Sequence, residues 1–281
     1  MDEYKSILLL PEHVVASPAN LPLLKDTQTV LNEAYKKTYC ARSDIFGDDH
    51  VRLADPAQFA DLVKGDGFMV VVLRVEPTSA GGGGGLRTAQ VVATGSVKDF
   101  GDGDLESYAE WSENVGGAEW KEKRDSADVK SADEADGKAA VAKGAAVNKF
   151  ELVGFAVSPR VQAKGLGVRV LDDVAWLTRV YRPGKGLRHI IDAAGAARIE
   201  GVEIGGSMSV QGFDLQKLRD AAPQVQMEEA RPPTLVLMVV RELGTEAYYE
   251  RRGFRTKWTG TVPVGMWACL KPCTMVYMER E

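Results

Sequence analysis

The chain has 281 residues, of which 44% are hydrophobic, and a formal net charge of −5 at pH 7. This size suffices for one large core, and we expect a single domain over residues 1–281. The first residues, MDEYK, lack the basic start of a signal peptide, and apolar runs such as TLVLMVV are shorter than a membrane span, which predicts a cytoplasmic protein without a membrane partner. The acidic balance argues against nucleic acid as the main partner.

The placement of cysteine and histidine argues against a metal site. Cys40, Cys269 and Cys273 are odd in number, and the last two are separated by three residues rather than two, with no histidine near them in sequence. Neither a disulfide framework nor a bound metal is therefore expected. The histidines lie outside every motif described below and are expected at the surface or in loops: His13, His50 and His189.

Two helices are predicted in the N-terminal part. Residues 20–39 carry apolar side chains at helical spacing, which indicates an amphipathic helix. A shorter helix is predicted after Asp55, an N-cap residue followed by Pro56 at the first helical position, and it is expected to end at Gly65.

Two segments rich in β-branched residues, 68–76 and 89–100, predict strands. Between them lie five glycines, residues 81–85. A phosphate-binding glycine loop leads into a helix, whereas this one leads into a strand, so we interpret it as a hairpin loop.

Two insertions are predicted within the domain. Residues 101–148 are rich in Asp, Glu, Lys, Ala and Gly, which indicates a largely solvated segment, although Trp111 and Trp120 could fold back onto the body. Residues 182–233 form the second insertion, with a short helix near DLQKLRDA. We expect the insertions to shape the substrate pocket.

The remaining elements alternate between strand and helix. Strands are predicted at 149–159, at 234–240 and at TMVYMER, and an amphipathic helix is predicted from Gly165 to about Tyr181. GTEAYYERR predicts a further helix that ends at Gly253.

The stretch VSPRVQAKGLGVRVL, residues 157–171, places glycines and cations at the start of the 165–181 helix. The unpaired N–H groups and the dipole of a helix start attract anions, and Gly165 and Gly167 would let an anion approach the backbone. The cations of this stretch favour a phosphate or pyrophosphate: Arg160, Lys164 and Arg169. Tight helix packing explains a G-x-G start equally well. A dinucleotide fingerprint is disfavoured because Val170 replaces its third glycine.

Three motifs in this part of the chain resemble the GNAT superfamily of acyl-CoA-dependent N-acetyltransferases. QAKGLG, residues 162–167, resembles the signature loop that holds the pyrophosphate of the coenzyme. ELVGFAV, ending at Val157, resembles the fourth strand of that family, whose splayed end offers backbone groups to the pantetheine arm. RELGTEAYYERRGF resembles the second motif, a helix with a tyrosine ahead of a Gly-Phe pair.

The resemblance implies acetyl-CoA as co-substrate and assigns coenzyme contacts. These are Phe155, Ala156, Val157, Gln162, Ala163, Lys164, Gly165, Leu166, Gly167 and Val168. One departure concerns the second motif, where Glu242 and Thr245 stand in place of the usual Asn and Ala. No asparagine role is therefore transferred to Glu242.

The resemblance also implies catalytic roles. An alkylamine is mostly protonated at pH 7, so a base must remove a proton. Glu151 matches the position of the general base in some family members and, by the strand period of two, is expected on the same face as Val157. The backbone N–H of Val157 or its neighbour would stabilise the oxyanion. Tyr249 would protonate the departing thiolate, with Tyr248 as the adjacent candidate.

The implied fold is α/β, a mixed and mostly antiparallel twisted sheet with about four flanking helices. Strands 150–157 and 234–240 are expected to splay around the coenzyme. The implied activity is transfer of an acetyl group to a primary amine of a small metabolite. Two alternatives stay open, a protein lysine or N-terminal acetyltransferase and a non-catalytic acetyl-CoA-binding module.

Overall fold

The computed structural model describes residues 3–15, 18–47, 51–76, 87–101, 149–195, 198–200, 202–206, 210–224 and 232–280. Its helices are α1 (Pro11–Val14), α2 (Leu21–Cys40), α3 (Phe59–Leu62), α4 (Leu166–Val180), α5 (Arg188–Ala193), α6 (Leu215–Ala221) and α7 (Glu246–Glu250). Its strands are β1 (Glu3–Leu9), β2 (Phe68–Val75), β3 (Arg87–Asp99), β4 (Lys149–Val157), β5 (Val202–Glu203), β6 (Phe213–Asp214), β7 (Thr234–Val240), β8 (Arg255–Val262) and β9 (Cys273–Arg280). Among these residues, no helix has the length and apolar character needed to cross a membrane.

Some predictions fall outside the described residues. They concern the five glycines at 81–85, His50, and nearly all of the first insertion with Trp111 and Trp120. The helices and strands predicted elsewhere in the chain are confirmed within a few residues of their ends.

One sheet organises the molecule, in the order β6-β1-β2-β3-β4-β7-β9-β8, with β5 paired to β3. Its pairings are antiparallel except for β4–β7 and β3–β5, which are parallel. This is the mixed, mostly antiparallel sheet that the sequence motifs imply.

Helices α2 and α4 cover opposite faces of this sheet. Alternate side chains of the central strands divide between them, so that Val70 and Val72 share a core with α4, whereas Met69 and Val71 share a core with α2. Every residue of β2 except Arg74 is buried, because both of its faces are covered.

The second predicted insertion, residues 182–233, is part of the packed body. Its strand β6 extends the sheet beside β1, and Leu215 and Leu218 of α6 are buried in the α4-side core. None of its described residues lines the cleft that is described below. The expectation that this segment shapes the substrate pocket is therefore wrong for its described part.

Candidate active site

A cleft opens where β4 and β7 separate. The two strands pair from Lys149 and Thr234 as far as Glu151 and Val236. Beyond this point the strands diverge, and Leu152–Val157 and Leu237–Val240 line a cavity of about 860 Å³. The splayed-strand cleft predicted between 150–157 and 234–240 is thus confirmed.

The splay leaves one edge of β4 open toward the cleft. Ser158 donates its backbone N–H to Val92 of β3 at 2.8 Å. Because backbone N–H groups alternate in direction along a strand, the N–H of Val157 points away from β3 and toward the cleft. A backbone donor is therefore available where the sequence motif places an oxyanion.

A β-bulge interrupts β4 at Gly154. Thr94 and Ser96 of β3 oppose Ala156 and Val153, so β4 uses one residue more than its partner over this interval. Gly154 itself has a φ of +57°.

The bulge reverses the facing of the side chains that follow it. Before it, Leu152 packs in the α4-side core, and after it the odd-numbered Val157 packs against that same core. Glu151 therefore lies on the α2 face and the side chain of Val157 on the α4 face. The prediction that they share a face is wrong, because the period-two rule assumes a regular strand.

Glu151 lies at the apex of the cleft, where β4 and β7 make their last pair. Its residue exposure is 4%, and its carboxylate lies 2.9 Å from the ammonium nitrogen of Lys98, its direct neighbour across β3. A strand glutamate without a function would be expected at the surface. This one is buried in the cleft and paired with a cation.

The loop before α4 contains two residues in the left-handed conformation. Ala163 has a φ of +67° and Gly165 a φ of +74°, and the first N–H groups of the helix that follows have no partner within the helix and suit an anion. A Cβ at Gly165 would meet no described atom within 4 Å, so the space beside the helix start is open.

Gly167 serves a different purpose. A Cβ there would lie 2.8 Å from the hydroxyl oxygen of Tyr248 and 3.3 Å from the Phe155 ring. Gly167 therefore permits close packing between α4 and the tyrosine.

The predicted cations of the helix start contribute less charge than expected. Arg160 forms an ion pair with Glu33 of α2 at 2.7 Å, and Arg169 donates to the Ser6 hydroxyl of β1 at 2.8 Å. Lys164 is exposed and does not line the cavity. The other predicted coenzyme residues all line it: Phe155, Ala156, Val157, Gln162, Ala163, Gly165, Leu166, Gly167 and Val168.

Both tyrosines of the second motif line the cleft. Tyr249 is buried against Phe155 and Phe254, and this burial raises the pKa of its hydroxyl well above the usual value. Tyr248 is half-buried, and the Arg252 guanidinium lies 3.5 Å from the centre of its ring. The two rings are perpendicular, with centroids 5.2 Å apart.

The two residues that depart from the second motif, Glu242 and Thr245, have different surroundings. Glu242 accepts the Thr274 N–H at 2.9 and 3.0 Å through its two carboxylate oxygens, which ties the turn after β7 to β9. Thr245 lines the cleft. Glu242 therefore has a structural role and does not stand in for the asparagine of the motif.

The structure adds cleft residues that sequence reasoning missed. Among them are Tyr35, Tyr39, Arg52, Lys98 and Trp267. Of these residues, only Lys98 stands out in the sequence, because it is a lysine within a largely apolar strand pattern. Its position next to Glu151 can be inferred only when the β3–β4 register is known. Trp267 has a φ of +50°, which is uncommon for a bulky residue and occurs often at functional sites. Neither His13 nor His189 lines the cleft.

No protein-family model and no curated protein matches the sequence. Solved acetyltransferase structures are similar to the chain. One, of the GNAT family from Streptococcus pneumoniae, has 11% identity, a TM-score of 0.39, and coverage of 99% of this chain and 98% of that one. The PaiA N-acetyltransferase from Thermoplasma acidophilum, in complex with coenzyme A, has 9% identity, a TM-score of 0.41 and coverage of 99% of both chains. FeeM, an N-acyl amino acid synthase from uncultured soil microbes, has 10% identity, a TM-score of 0.40 and coverage of 99% and 91%.

The chain has the mixed, mostly antiparallel sheet with two splayed strands that its motifs imply. The helix start, the splayed strands and the tyrosine-bearing helix surround one cleft.

Proposed function

We propose that this protein transfers an acetyl group from acetyl-CoA to a primary amine of a small metabolite, by direct attack in a ternary complex. One observation carries the proposal: the buried carboxylate of Glu151 stands at the apex of a cleft that also contains an open helix start and two tyrosines. A carboxylate in this position is suited to accept a proton from an amine bound in the cleft.

The residues present fit the coenzyme. The open space at Gly165, beside the N–H groups of a 15-residue helix, suits a pyrophosphate. The open edge of β4 at Phe155–Val157 suits the amide groups of the pantetheine arm. When bound, acetyl-CoA supplies the acetyl group as a thioester.

The chain supplies the proton transfers and the charge stabilisation. Glu151 accepts the proton of the incoming amine, and Lys98, at 2.9 Å, pairs with that carboxylate. The N–H of Val157 donates to the carbonyl oxygen as negative charge develops on it. The hydroxyl of Tyr249, which lines the cleft and is protonated at neutral pH, gives a proton to the departing sulfur.

The experiment is thiol release from acetyl-CoA, screened against small amines, lysine peptides and peptides with free N-termini, with mass spectrometry of the acceptor. We expect amine-dependent release and an acetylated small amine. Release with peptides alone would move the substrate class to proteins. Absence of acceptor-dependent release across the panel would overturn the proposal.

A further inference from the structure

Arg52 is a cationic side chain in the cleft whose role the proposed reaction leaves open. It lies in the acceptor half of the cleft, which we define as the part on the α2 face lined by Tyr35, Tyr39, Arg52, Lys98 and Glu151. Its guanidinium carbon stands 5.5 Å from the centre of the Tyr35 ring. The aromatic face holds the cation in place without neutralising it.

Arg52 has no anionic partner among the described residues. Its Nε is buried and makes no hydrogen bond in the described part of the chain, and no ion pair to Arg52 is found there. Asp61 lines the same cleft but is exposed and not paired with it. A buried N–H without a hydrogen-bond acceptor is costly, so the cleft favours a ligand that brings an acceptor, and a cationic donor favours an anionic one.

The other cation of the acceptor half is already engaged. Lys98 lies 2.9 Å from Glu151 and is mostly buried. An anion on the acceptor would therefore meet Arg52 rather than Lys98.

Arg52 also lies away from the loop before α4, residues 162–167, which is the proposed binding site of the coenzyme pyrophosphate. Helix α2 contacts this region through Glu33, which pairs with Arg160, and through Lys37, which donates to Gln162 at 2.7 Å. Tyr35, whose ring packs against Arg52, is two residues away from both Glu33 and Lys37. Its side chain therefore projects about 200° away from theirs around the helix axis. A guanidinium on that side of α2 serves the acceptor rather than the coenzyme phosphates.

We infer that the amine acceptor carries an anionic group, a carboxylate or a phosphate, and that Arg52 binds it. The inference rests on the proposed function, because it identifies the acceptor half by the base Glu151. The planar guanidinium suits bidentate recognition of either oxyanion. Amino acids and phosphorylated amines are the two sources of such a group.

The test measures Kd by calorimetry, in the presence of coenzyme A, for matched amines that differ in the anion. Amino acids are compared with their carboxamides, and O-phosphoethanolamine with ethanolamine. The proteins are wild type, Arg52→Met, Arg52→Lys and the control Arg255→Met, which removes an exposed arginine of β8 outside the cleft. Comparing ratios between proteins cancels intrinsic differences between the two amines of a pair.

We expect wild type to bind the anionic member of one pair about tenfold or more tightly than its neutral partner, as a charged hydrogen-bonded pair gives. Arg52→Met should bring that ratio close to one, Arg52→Lys should keep part of it, and Arg255→Met should leave it unchanged. The pair of amines that shows this preference identifies the bound anion as a carboxylate or as a phosphate. Coenzyme A affinity should be equal in wild type and Arg52→Met.

The inference is overturned if no pair shows a preference in wild type, if the ratio survives Arg52→Met, or if that change weakens coenzyme A binding instead. Failure of the two proposals can be told apart. Arg52-dependent binding of anionic amines without thiol release would refute the transferase and keep the anion site. Acetylation of neutral amines with no anion preference would refute the anion site alone.

Discussion

Gly165 and Gly167 show how two glycines of one motif answer different physical needs. Gly165 adopts a left-handed conformation beside open space, whereas a side chain at Gly167 would collide with the Tyr248 hydroxyl. Close helix packing, one of the two interpretations of the G-x-G start, therefore applies to Gly167, whereas the proposed anion binding concerns Gly165. A double substitution would mix the two effects, so each glycine needs its own variant.

Gly165→Ala isolates the anion site. The change places a methyl group in the open space and costs about 1 kcal/mol of stability because of the positive φ. Gly184→Ala is the matched control, since Gly184 has a φ of +76° and equally open surroundings outside the cleft. We expect similar losses in Tm for both variants and weaker acetyl-CoA binding, by calorimetry, for Gly165→Ala alone. Equal acetyl-CoA affinity in the two would contradict the loop assignment.

Tyr249→Phe isolates the proton donor. Because burial raises the pKa of Tyr249, its hydroxyl stays protonated through the pH range of the assay and adds no alkaline limit to the rate below about pH 10. We expect the variant to lower the turnover number by about 10²-fold or more. Its acetyl-CoA affinity should be unchanged, and so should the acidic limb of its pH profile, which is the fall in rate as the pH is lowered.

Tyr248→Phe is the control for that measurement. The neighbouring side chain projects about 100° away around the helix, so its loss should change the turnover number only slightly. A Tyr249→Phe enzyme at full rate would assign the proton to Tyr248 or to water.

At the level of elements, the bulge in β4 sets the geometry of the site. It places the Glu151 carboxylate on the α2 face while the Val157 N–H remains on the open edge. The proposed base and the proposed oxyanion donor thus reach the cleft from different directions. A regular strand would turn the residues after Gly154 to the other face.

Gly154→Ala should damage this arrangement. The new methyl group would combine a φ of +57° with contacts of 3.3 Å to Leu62 Cδ1 and 3.4 Å to Ser96 Oγ, for a loss of about 1–2 kcal/mol. Gly195→Ala carries similar strain, a φ of +60°, in open space. We expect both to lower Tm, and only Gly154→Ala to lower the turnover number. An unchanged turnover number in Gly154→Ala would mean that the bulge does not position the catalytic groups.

The predictability of each element follows from the range of the interactions that fix it. The short helix after Asp55 was predictable, because its capping box is local: Asp55 accepts from Ala57 at 2.7 Å and Gln58 accepts from Asp55 at 3.0 Å. The strand and helix periods around the cleft were predictable for the same reason. Strand β6 was not, because two residues pair with β1 from more than 200 positions away, and nothing local marks them.

The same limit applies to the site. The loop before α4 and both tyrosines lie in contiguous motifs, and their position in the cleft was predictable, whereas the position of Lys98 depends on the β3–β4 register. Arg52 depends on how its loop meets α2. The relation of Glu151 to Val157 was mispredicted because a single glycine is the only local sign of the bulge.

At the scale of the whole molecule, several tyrosine hydroxyls and one cysteine thiol are expected to make the free energy of unfolding depend on pH in the alkaline range. Burial raises the pKa of the hydroxyls of Tyr39, Tyr181 and Tyr249, and that of the Cys269 thiol to about 12. These groups keep their protons in the folded protein. The unfolded chain releases them near the ordinary values of about 8.5 for cysteine and 10 for tyrosine.

The free energy of unfolding should therefore be insensitive to these groups below about pH 8 and fall above it, by up to about 1.4 kcal/mol per pH unit for each group. Urea unfolding between pH 7 and 11 measures this. Tyr181→Phe should reduce the slope above pH 10. A stability that stays constant to pH 11 would show that these side chains are not buried as described.

The central claim is that the carboxylate at the apex of the cleft removes a proton from an amine, and the pH dependence of acceptor-dependent thiol release tests it most directly. Glu151→Gln should lower the turnover number by about 10² to 10⁴ and abolish the acidic limb, while acetyl-CoA affinity stays unchanged. Glu200→Gln, an exposed glutamate outside the cleft, should behave as wild type. A Glu151→Gln enzyme with the rate and the pH profile of wild type would contradict the claim.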